Sequence, residues 1–408
     1  MCTLNICEEP LYRTNTDLRL ISRGAGIGGS RFVLALGLGA LALGGAGLSG
    51  CSGASGVSEK PAVSAGVETS VSPWVPGQPS APAPAEIGGL PGTYPTASAC
   101  EVTAKLIPSC GAWWGVAPEV FTGRRPGQAL KRAEKRMGRP ADIVHVYHRE
   151  QDLFPTAEER AIARDQVGNR LLLINWKPSF DHTWAEIARG ALDERIDRLA
   201  GHIRKNFPQR FFLTVHHEPE NDVRERPASG MTADDYAAMF RHVVLRLRQK
   251  GVDNAVTVMT YMGAPNWAAK PWFEKLYPGD DVVDWVGMDP YVDDKVQSFD
   301  GLVNKAREGF DEWPGFYRWM QARFPGKPVM VAEWGVFERY DQPRFKESFF
   351  TSVRQEIRDY PQIKALVYFD SPHAPRGDTR FDTTPGGLRA FGDLADDPYL
   401  RAAAVPQK

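Results

Sequence analysis

Cysteine is scarce in this chain: five in 408 residues, three of them (Cys2, Cys7 and Cys51) within the first 51 positions. Only Cys100 and Cys110 remain for the rest, and neither has Cys or His partners at zinc-ligand spacing, so no metal site is expected. Charge of one sign is also lacking. Forty-nine Lys and Arg stand against 50 Asp and Glu, for a formal net charge of −1. That balance offers no electrostatic footprint for nucleic acid or for an anionic membrane surface. No strand candidate is followed by G-x-G-x-x-G, which weakens an open, doubly wound dinucleotide-binding sheet. The apolar run from Phe32 to Gly47 is too short and too rich in Gly and Ala for a comfortable transmembrane helix.

What that run does fit is an export signal. Arg19, Arg23 and Arg31 form a positive region ahead of it, with residues 1–18 as a long leader. The run ends in Leu48-Ser49-Gly50-Cys51, which resembles the lipobox of bacterial lipoproteins. The resemblance implies lipidation of Cys51 and tethering outside the cytoplasmic membrane, at its outer face or in the envelope, with release into the medium as a variant of the same fate. Residues 1–51 are therefore read as a lipoprotein signal. From 52 to 97 the chain is Ser, Ala, Gly and Pro without apolar periodicity, a disordered linker by composition. In an oxidising compartment Cys100 and Cys110 are expected to form a disulfide just before the first strand.

Residues 98–400 alternate β-rich runs with amphipathic helical segments. Strands are expected at Gly111–Val116, Ile143–His148, Leu171–Trp176, Phe211–His216, Ala255–Tyr261, Val282–Met288, Val329–Trp334 and Ala365–Phe369. Runs such as Leu171-Leu172-Leu173-Ile174 are apolar throughout, as for parallel strands covered by helices. Helices are expected over Thr183–Lys205, with Ile187, Ala191, Ile196, Leu199 and Ile203 on one stripe, and over Tyr236–Lys250, capped by Thr232 and stopped by Gly251. Two more are expected at Asp311–Arg323 and Phe345–Tyr360. Eight such β–α units in about 300 residues point to an α/β fold, the (β/α)8 TIM barrel.

In that fold, reactive groups sit at the C-terminal ends of strands. The fourth strand runs into His216-His217-Glu218-Pro219-Glu220, the sixth into Asp289-Pro290-Tyr291, the seventh into Glu333-Trp334. A glutamate buried at a strand end without a partner is costly, so Glu218 and Glu333 are read as functional. Strands four and seven face each other across a barrel mouth. Two carboxylates converging there match what glycosidic-bond hydrolysis requires, with retention needing them about 5–5.5 Å apart. Glu220 is read as a rim residue.

Glutamates at the ends of strands four and seven resemble clan A retaining glycosidases. His217 before Glu218, together with Asp289-Pro290-Tyr291, resembles family 26 glycoside hydrolases, known mainly as β-mannanases. Most of the clan has Asn where this chain has His217. The resemblance implies Glu218 as acid/base, Glu333 as nucleophile, His217 as a substrate-binding neighbour, Tyr291 as a hydrogen-bond donor to the nucleophile and Asp289 as a supporting group. It implies a polysaccharide substrate; the chemistry of these residues requires no metal or organic cofactor, and a stalked monomer is the simplest expectation. Trp114, Trp176 and Trp334 are candidate sugar platforms, although most of the 11 tryptophans are expected in the core. His148, at the end of strand two, is a candidate to line a sugar subsite. The family usually has a tryptophan at the end of strand eight; here Tyr368 or Phe369 stands in its place. The expected activity is that of an endo-acting β-glycanase with β-1,4-mannan as first substrate, and mixed-linkage β-glucan, β-1,3-xylan or a cell-envelope polysaccharide as the alternatives. A surface-tethered glycan binder without catalysis remains the reading from another class.

Overall fold

The computed structural model describes residues 100–165, 168–401 and 403–406. The expected signal segment 1–51, the lipidation site Cys51 and the linker 52–97 lie outside the described residues. Eight parallel strands form one closed sheet: β1 Trp113–Ala117, β2 Ile143–Arg149, β3 Leu171–Lys177, β4 Phe211–Val215, β5 Ala255–Tyr261, β6 Trp285–Met288, β7 Val329–Val336 and β8 Ile363–Phe369. Each pairs with its sequence neighbour, and β8 returns to β1 in a register running from Trp113 opposite Ala365 to Ala117 opposite Phe369. All eight expected strands are present, several shifted by one to three residues at their ends. A two-residue strand, Tyr291–Val292, extends the sheet against the top of β7.

Alternation along each strand divides the apolar residues between two cores. Ile143, Leu171, Leu173, Phe212, Val258, Trp285, Met330 and Val367 fill the barrel interior. Val144, Leu172, Leu213, Met259, Val331 and Leu366 point outward into the layer beneath the helices. Because both faces are buried, the strands read as continuous apolar runs.

The expected helix over Thr183–Lys205 is two helices, Trp184–Ala188 and Asp193–Asn206. Between them Gly190 takes a left-handed φ of 95°, which breaks the helical path; Ala191 is exposed and Leu192 is buried in its stead. Thr232 caps Ala233–Gln249 as expected, in a reciprocal capping box with Asp235, and Gly251 follows at φ 80°. The helix expected from Asp311 starts only at Phe316, behind Pro314 and a left-handed Gly315. That expected over Phe345–Tyr360 is α-helical through Glu356 and ends in a tighter turn, Ile357–Asp359.

The segment ahead of β1 closes the N-terminal end of the barrel. The Cys100–Cys110 disulfide is formed, with Cα atoms 5.5 Å apart. The loop it closes inserts Leu106, fully buried, into the interior cluster. Two interior tryptophans anchor it: Trp113 Nε1 donates to the Leu106 carbonyl at 2.8 Å and Trp285 Nε1 to the Lys105 carbonyl at 2.7 Å. The bottom of the barrel is thereby filled with apolar side chains, and both indole N–H groups are satisfied. The other end is where polar side chains gather.

Candidate active site

Past β4 the backbone makes an unusual turn. His216 and Glu218 both have positive φ, 54° and 49°, a region that non-glycine residues avoid. The Glu218 N–H donates to the Thr260 carbonyl of β5 at 3.1 Å, which ties the turn to the next strand. His216 is the packed histidine of the pair, accepting from Trp184 Nε1 at 3.2 Å and sharing a 2.8 Å hydrogen bond with Asp222. Asp222 also pairs with Lys177 at 2.7 Å. Burial alone would raise the Asp222 pKa, but the His216 hydrogen bond and the Lys177 charge outweigh it and hold it below the ordinary value. His217 turns the other way, with its ring 6.0 Å from that of Tyr147. Burial, with His216 and Lys177 nearby, pushes its pKa down to about 3, so it is neutral.

Glu333 reaches the mouth through a β-bulge. Val331 is opposite Leu366 and Trp334 is opposite Tyr368, three steps on β7 against two on β8. Ala332 belongs to the barrel interior and Trp334 to the outer layer. Strict alternation would have sent Glu333 outward, opposite to Ala332; the extra residue aims it at the mouth instead. There two tyrosines grip it. Tyr147 donates its hydroxyl to Glu333 Oε1 and Tyr291 donates to Oε2, each at 2.8 Å. A Cβ on Gly335 would sit 3.0 Å from the Tyr291 ring, so glycine is what lets that ring lie against the strand.

Glu218, Asp289 and Glu333 converge, one carboxylate oxygen from each lying within 4.8 Å of the others. Asp289 and Glu333 are buried, whereas Glu218 keeps part of its surface open to the mouth. Three carboxylates so close cannot all ionise. Glu333 is pushed up to about 7 by burial, against the two tyrosine hydrogen bonds, which favour its charged form. Glu218 is pushed well above the ordinary value by burial and then by the Glu333 charge, and among the described residues it accepts a hydrogen bond from Asn221 Nδ2, at 3.2 Å. Asp289 is raised by burial and then by the charges of Glu333, Glu218 and Glu220, against which the nearby Glu333 backbone N–H acts only weakly; among the described residues neither of its oxygens meets a partner at full hydrogen-bonding geometry. The donors single out Glu333 as the first to ionise, leaving the proton on Glu218 and Asp289. A protonated carboxyl facing a carboxylate across this gap is the equipment for acid-assisted displacement at one carbon. The same three oxygens are also a hard-ligand set that a divalent cation would accept; protons meet the electrostatic demand while leaving both tyrosine hydrogen bonds intact.

Of the residues singled out from sequence, Glu218, Glu333, His217, Tyr291, Asp289 and Phe369 are brought together. Phe369 closes the floor, its ring 5.9 Å from Tyr291 and 6.4 Å from Tyr147. Four are not brought there. Trp114, Trp176 and Trp334 are completely buried in the outer layer, because they occupy the outward-facing positions of their strands, and none offers a face to a sugar. His148 also faces outward and pairs with Glu159 at 2.9 Å and packs on Phe154. Its neighbour Tyr147 is the site residue of β2, one position away and therefore on the opposite face. The inward phase of Ile143 and His145 was the signal that could have found it. Tyr368 is likewise in the outer layer, donating to the Thr379 carbonyl at 2.6 Å. Glu220 is no rim residue: it is wholly buried, accepting the Met262 N–H at 2.9 Å, and burial pushes it up to about 7.

Residues 218–308 match the model of glycosyl hydrolase family 26. The matched stretch takes in Glu218, Asp289 and Tyr291. Among solved structures, the chain is similar to a Bacillus subtilis mannanase, at 13% identity and a TM-score of 0.49, over 70% of this chain and 85% of that one. A β-mannanase from a symbiotic protist of the termite Reticulitermes speratus, solved with a gluco-manno-oligosaccharide, gives 12% and 0.49 over 72% and 91%. A family 26 β-mannanase from Bacteroides ovatus gives 17% and 0.47 over 71% and 90%. No curated protein sequence matches the chain.

Proposed function

We propose that the chain, whose residues 218–308 match the model of glycosyl hydrolase family 26, is a retaining endo-β-glycanase of that family, with β-1,4-mannan as the first substrate. The observation that carries this reading is the carboxylate pair: Glu218 and Glu333 within 4.8 Å, the second held by two hydroxyl donors. That separation is slightly shorter than the roughly 5–5.5 Å of retaining pairs and well below the roughly 6.5 Å at which a water fits between for inversion.

Glu333, ionised and fixed by Tyr147 and Tyr291, attacks the anomeric carbon. Glu218 gives its proton to the departing glycosidic oxygen. The bond from that carbon to the leaving sugar breaks as the bond to Glu333 forms, giving a glycosyl ester. Glu218, now ionised, takes a proton from water, whose oxygen displaces Glu333 from the same carbon. Two inversions give net retention. Asp289, kept neutral by its surroundings, adds no third negative charge. His217 and Phe369 border the reacting sugar, and Phe369 in place of a tryptophan gives it a smaller apolar floor.

The test is release of new reducing ends from β-mannan, glucomannan, mixed-linkage β-glucan and β-1,3-xylan by wild type, Glu218→Ala and Glu333→Ala. Each variant is expected to lose at least about a thousandfold in turnover, since each removes an essential group. Azide should restore part of the Glu333→Ala activity with inverted product. Near-wild-type activity in either variant would overturn that glutamate's role, and glycan binding by a wild type that cleaves nothing would replace the enzyme with a binder. The same reading has the protein exported and anchored through Cys51, so a Cys51→Ala variant should leave the membrane fraction.

A further inference from the structure

The exposed large apolar side chains are unevenly distributed. Phe121, Leu153, Phe180 and Tyr340 stand on loops that follow strands at the mouth, while Leu245 is on an outer helix. Phe121, on the loop after β1, is 53% exposed and differs from the rest in what holds it. Its φ is 64°, and that of Glu119, two residues earlier, is 47°. Two left-handed non-glycine residues in three positions persist only where surrounding contacts over-determine the backbone.

Those contacts are present. The Glu119 carboxylate is bound by Arg124, by Arg132 at 2.8 Å and by Arg136 at 3.4 Å. Burial would raise its pKa, but the Arg132 and Arg124 hydrogen bonds outweigh burial and hold it charged. The intervening Val120 is clamped through its backbone, donating N–H to the Asp370 carbonyl at 2.9 Å and accepting the Ser371 hydroxyl at 2.6 Å. All this rigidity ends in a phenyl ring facing water. Burial cannot account for it, because more than half the residue is uncovered. The ring lies 5.9 Å from Phe369, which in turn meets both tyrosines that grip Glu333.

We propose that Phe121 is a sugar-stacking platform for the second pyranose on the non-reducing side of the scissile bond. The inference rests on the glycosidase reading above and names one binding position of that site. The side follows from the aromatic path. Glu333 attacks the sugar whose anomeric carbon is cleaved, and Phe121 connects to Glu333 through Phe369. Glu218, which serves the leaving group, rises from β4, on the far side of the barrel from β1. A phenyl face packs against the C–H face of a pyranose, and a platform held rigid beforehand loses little entropy on binding.

Two measurements test this. The first is retardation of Glu333→Gln, with and without a Phe121 substitution, in gels containing soluble galactomannan, glucomannan or mixed-linkage β-glucan. Phe121→Ala and Phe121→Gly should each weaken binding to the retarding glycan about tenfold, the loss of one well-packed aromatic anchor, while Phe121→Trp keeps it and Leu245→Ala changes nothing. The glycine variant should melt no lower than the alanine variant, because glycine accepts the left-handed backbone; a purely structural Phe121 would not lose binding while keeping stability in this way. The second is the ratio of kcat/KM for 4-nitrophenyl β-mannobioside to that for the β-mannoside, expected to fall about tenfold in Phe121→Ala because only the bioside fills the subsite. Equal retardation of all Phe121 variants, or no retardation of the parent by any glycan, overturns the proposal. A wild type that is retarded yet hydrolyses nothing refutes the proposed function, and the retardation series then decides Phe121 by affinity alone.

Discussion

The two ends of this barrel are built from the same eight strands and obey opposite rules. At the bottom, Leu106, Trp113 and Trp285 are buried and both indole N–H groups find carbonyls, with Leu106 alone of the three in left-handed backbone, at φ 59°. At the mouth, both oxygens of buried Asp289 and one of Glu220 lack a partner at full hydrogen-bonding geometry among the described residues, and His216, Glu218, Glu119 and Phe121 occupy left-handed backbone. Each of these features costs stability, and together they mark the end of the molecule where something other than stability was selected. The bottom supplies the margin that the mouth uses up. Substitutions at the two ends should therefore separate cleanly, activity lost at one and stability at the other.

The largest effect expected is at Glu333. Glu333→Gln should abolish turnover, by at least about a thousandfold, and yet make the protein more heat-resistant at alkaline pH. The folded protein holds the Glu333 proton up to about pH 7, against an ordinary value of 4.5. The native state thus binds that proton more tightly than the unfolded chain does. Its stabilising contribution is complete below pH 4.5 and is lost as pH rises through about 7. Wild-type Tm should accordingly decline over that window, with Glu220, also raised to about 7, adding to the slope. Glu333→Gln should flatten the decline; a wild-type Tm that rises from pH 5 to 8 would contradict a Glu333 proton held this tightly by the native state.

Next in size is the opposite case, Trp285→Ala. It should destabilise by about 3–5 kcal/mol, the range for emptying a large buried aromatic site, while kcat of the folded fraction stays at the wild-type level in a denaturation series. Loss of the disulfide in Cys110→Ser, opening a loop with a sequence separation of 10, should cost about 2–3 kcal/mol, again without a change in kcat. If either bottom substitution lowers kcat as much as stability, the two ends are coupled and the division fails. Smallest is Tyr291→Phe. Removing one hydroxyl donor to a charged acceptor is worth about 1.5–3 kcal/mol, read as a roughly ten- to hundredfold drop in kcat/KM. The sign on pH is definite: the hydroxyl favours ionised Glu333, so its loss raises that pKa and moves the acidic limb of the pH–rate profile upward.

The boundary between what could be read and what could not follows a physical line. Strands such as Leu171–Lys177 announce themselves because both faces are buried, which leaves a run of apolar residues that any register preserves. Glu218 and Glu333 stand out because a carboxylate directly after such a run has no structural use. Facing direction is a finer matter. Choosing His148 over Tyr147, and expecting sugar platforms in Trp114, Trp176 and Trp334, each turns on a single residue of phase, and one residue moves a side chain from the mouth to the outer layer. Glu220 looked like a rim residue because nothing in Pro219-Glu220-Asn221 reveals the left-handed turn that folds it inward.

Glu218 and Glu333 divide between the two levels. Composition, the eight apolar runs and the glutamates ending two of them were determined by the sequence, because burial on both faces and the cost of a stray carboxylate are local facts. That Glu333 faces Glu218 at all was decided by the tertiary structure. A bulge between Val331 and Trp334, visible only against the register of β8, turns the carboxylate to the mouth. There Tyr147 and Tyr291, 186 and 42 positions away in sequence, fix its charge. Strand registry and the meeting of distant side chains depend on which strands pair, and pairing belongs to the closed barrel, not to any one segment of chain.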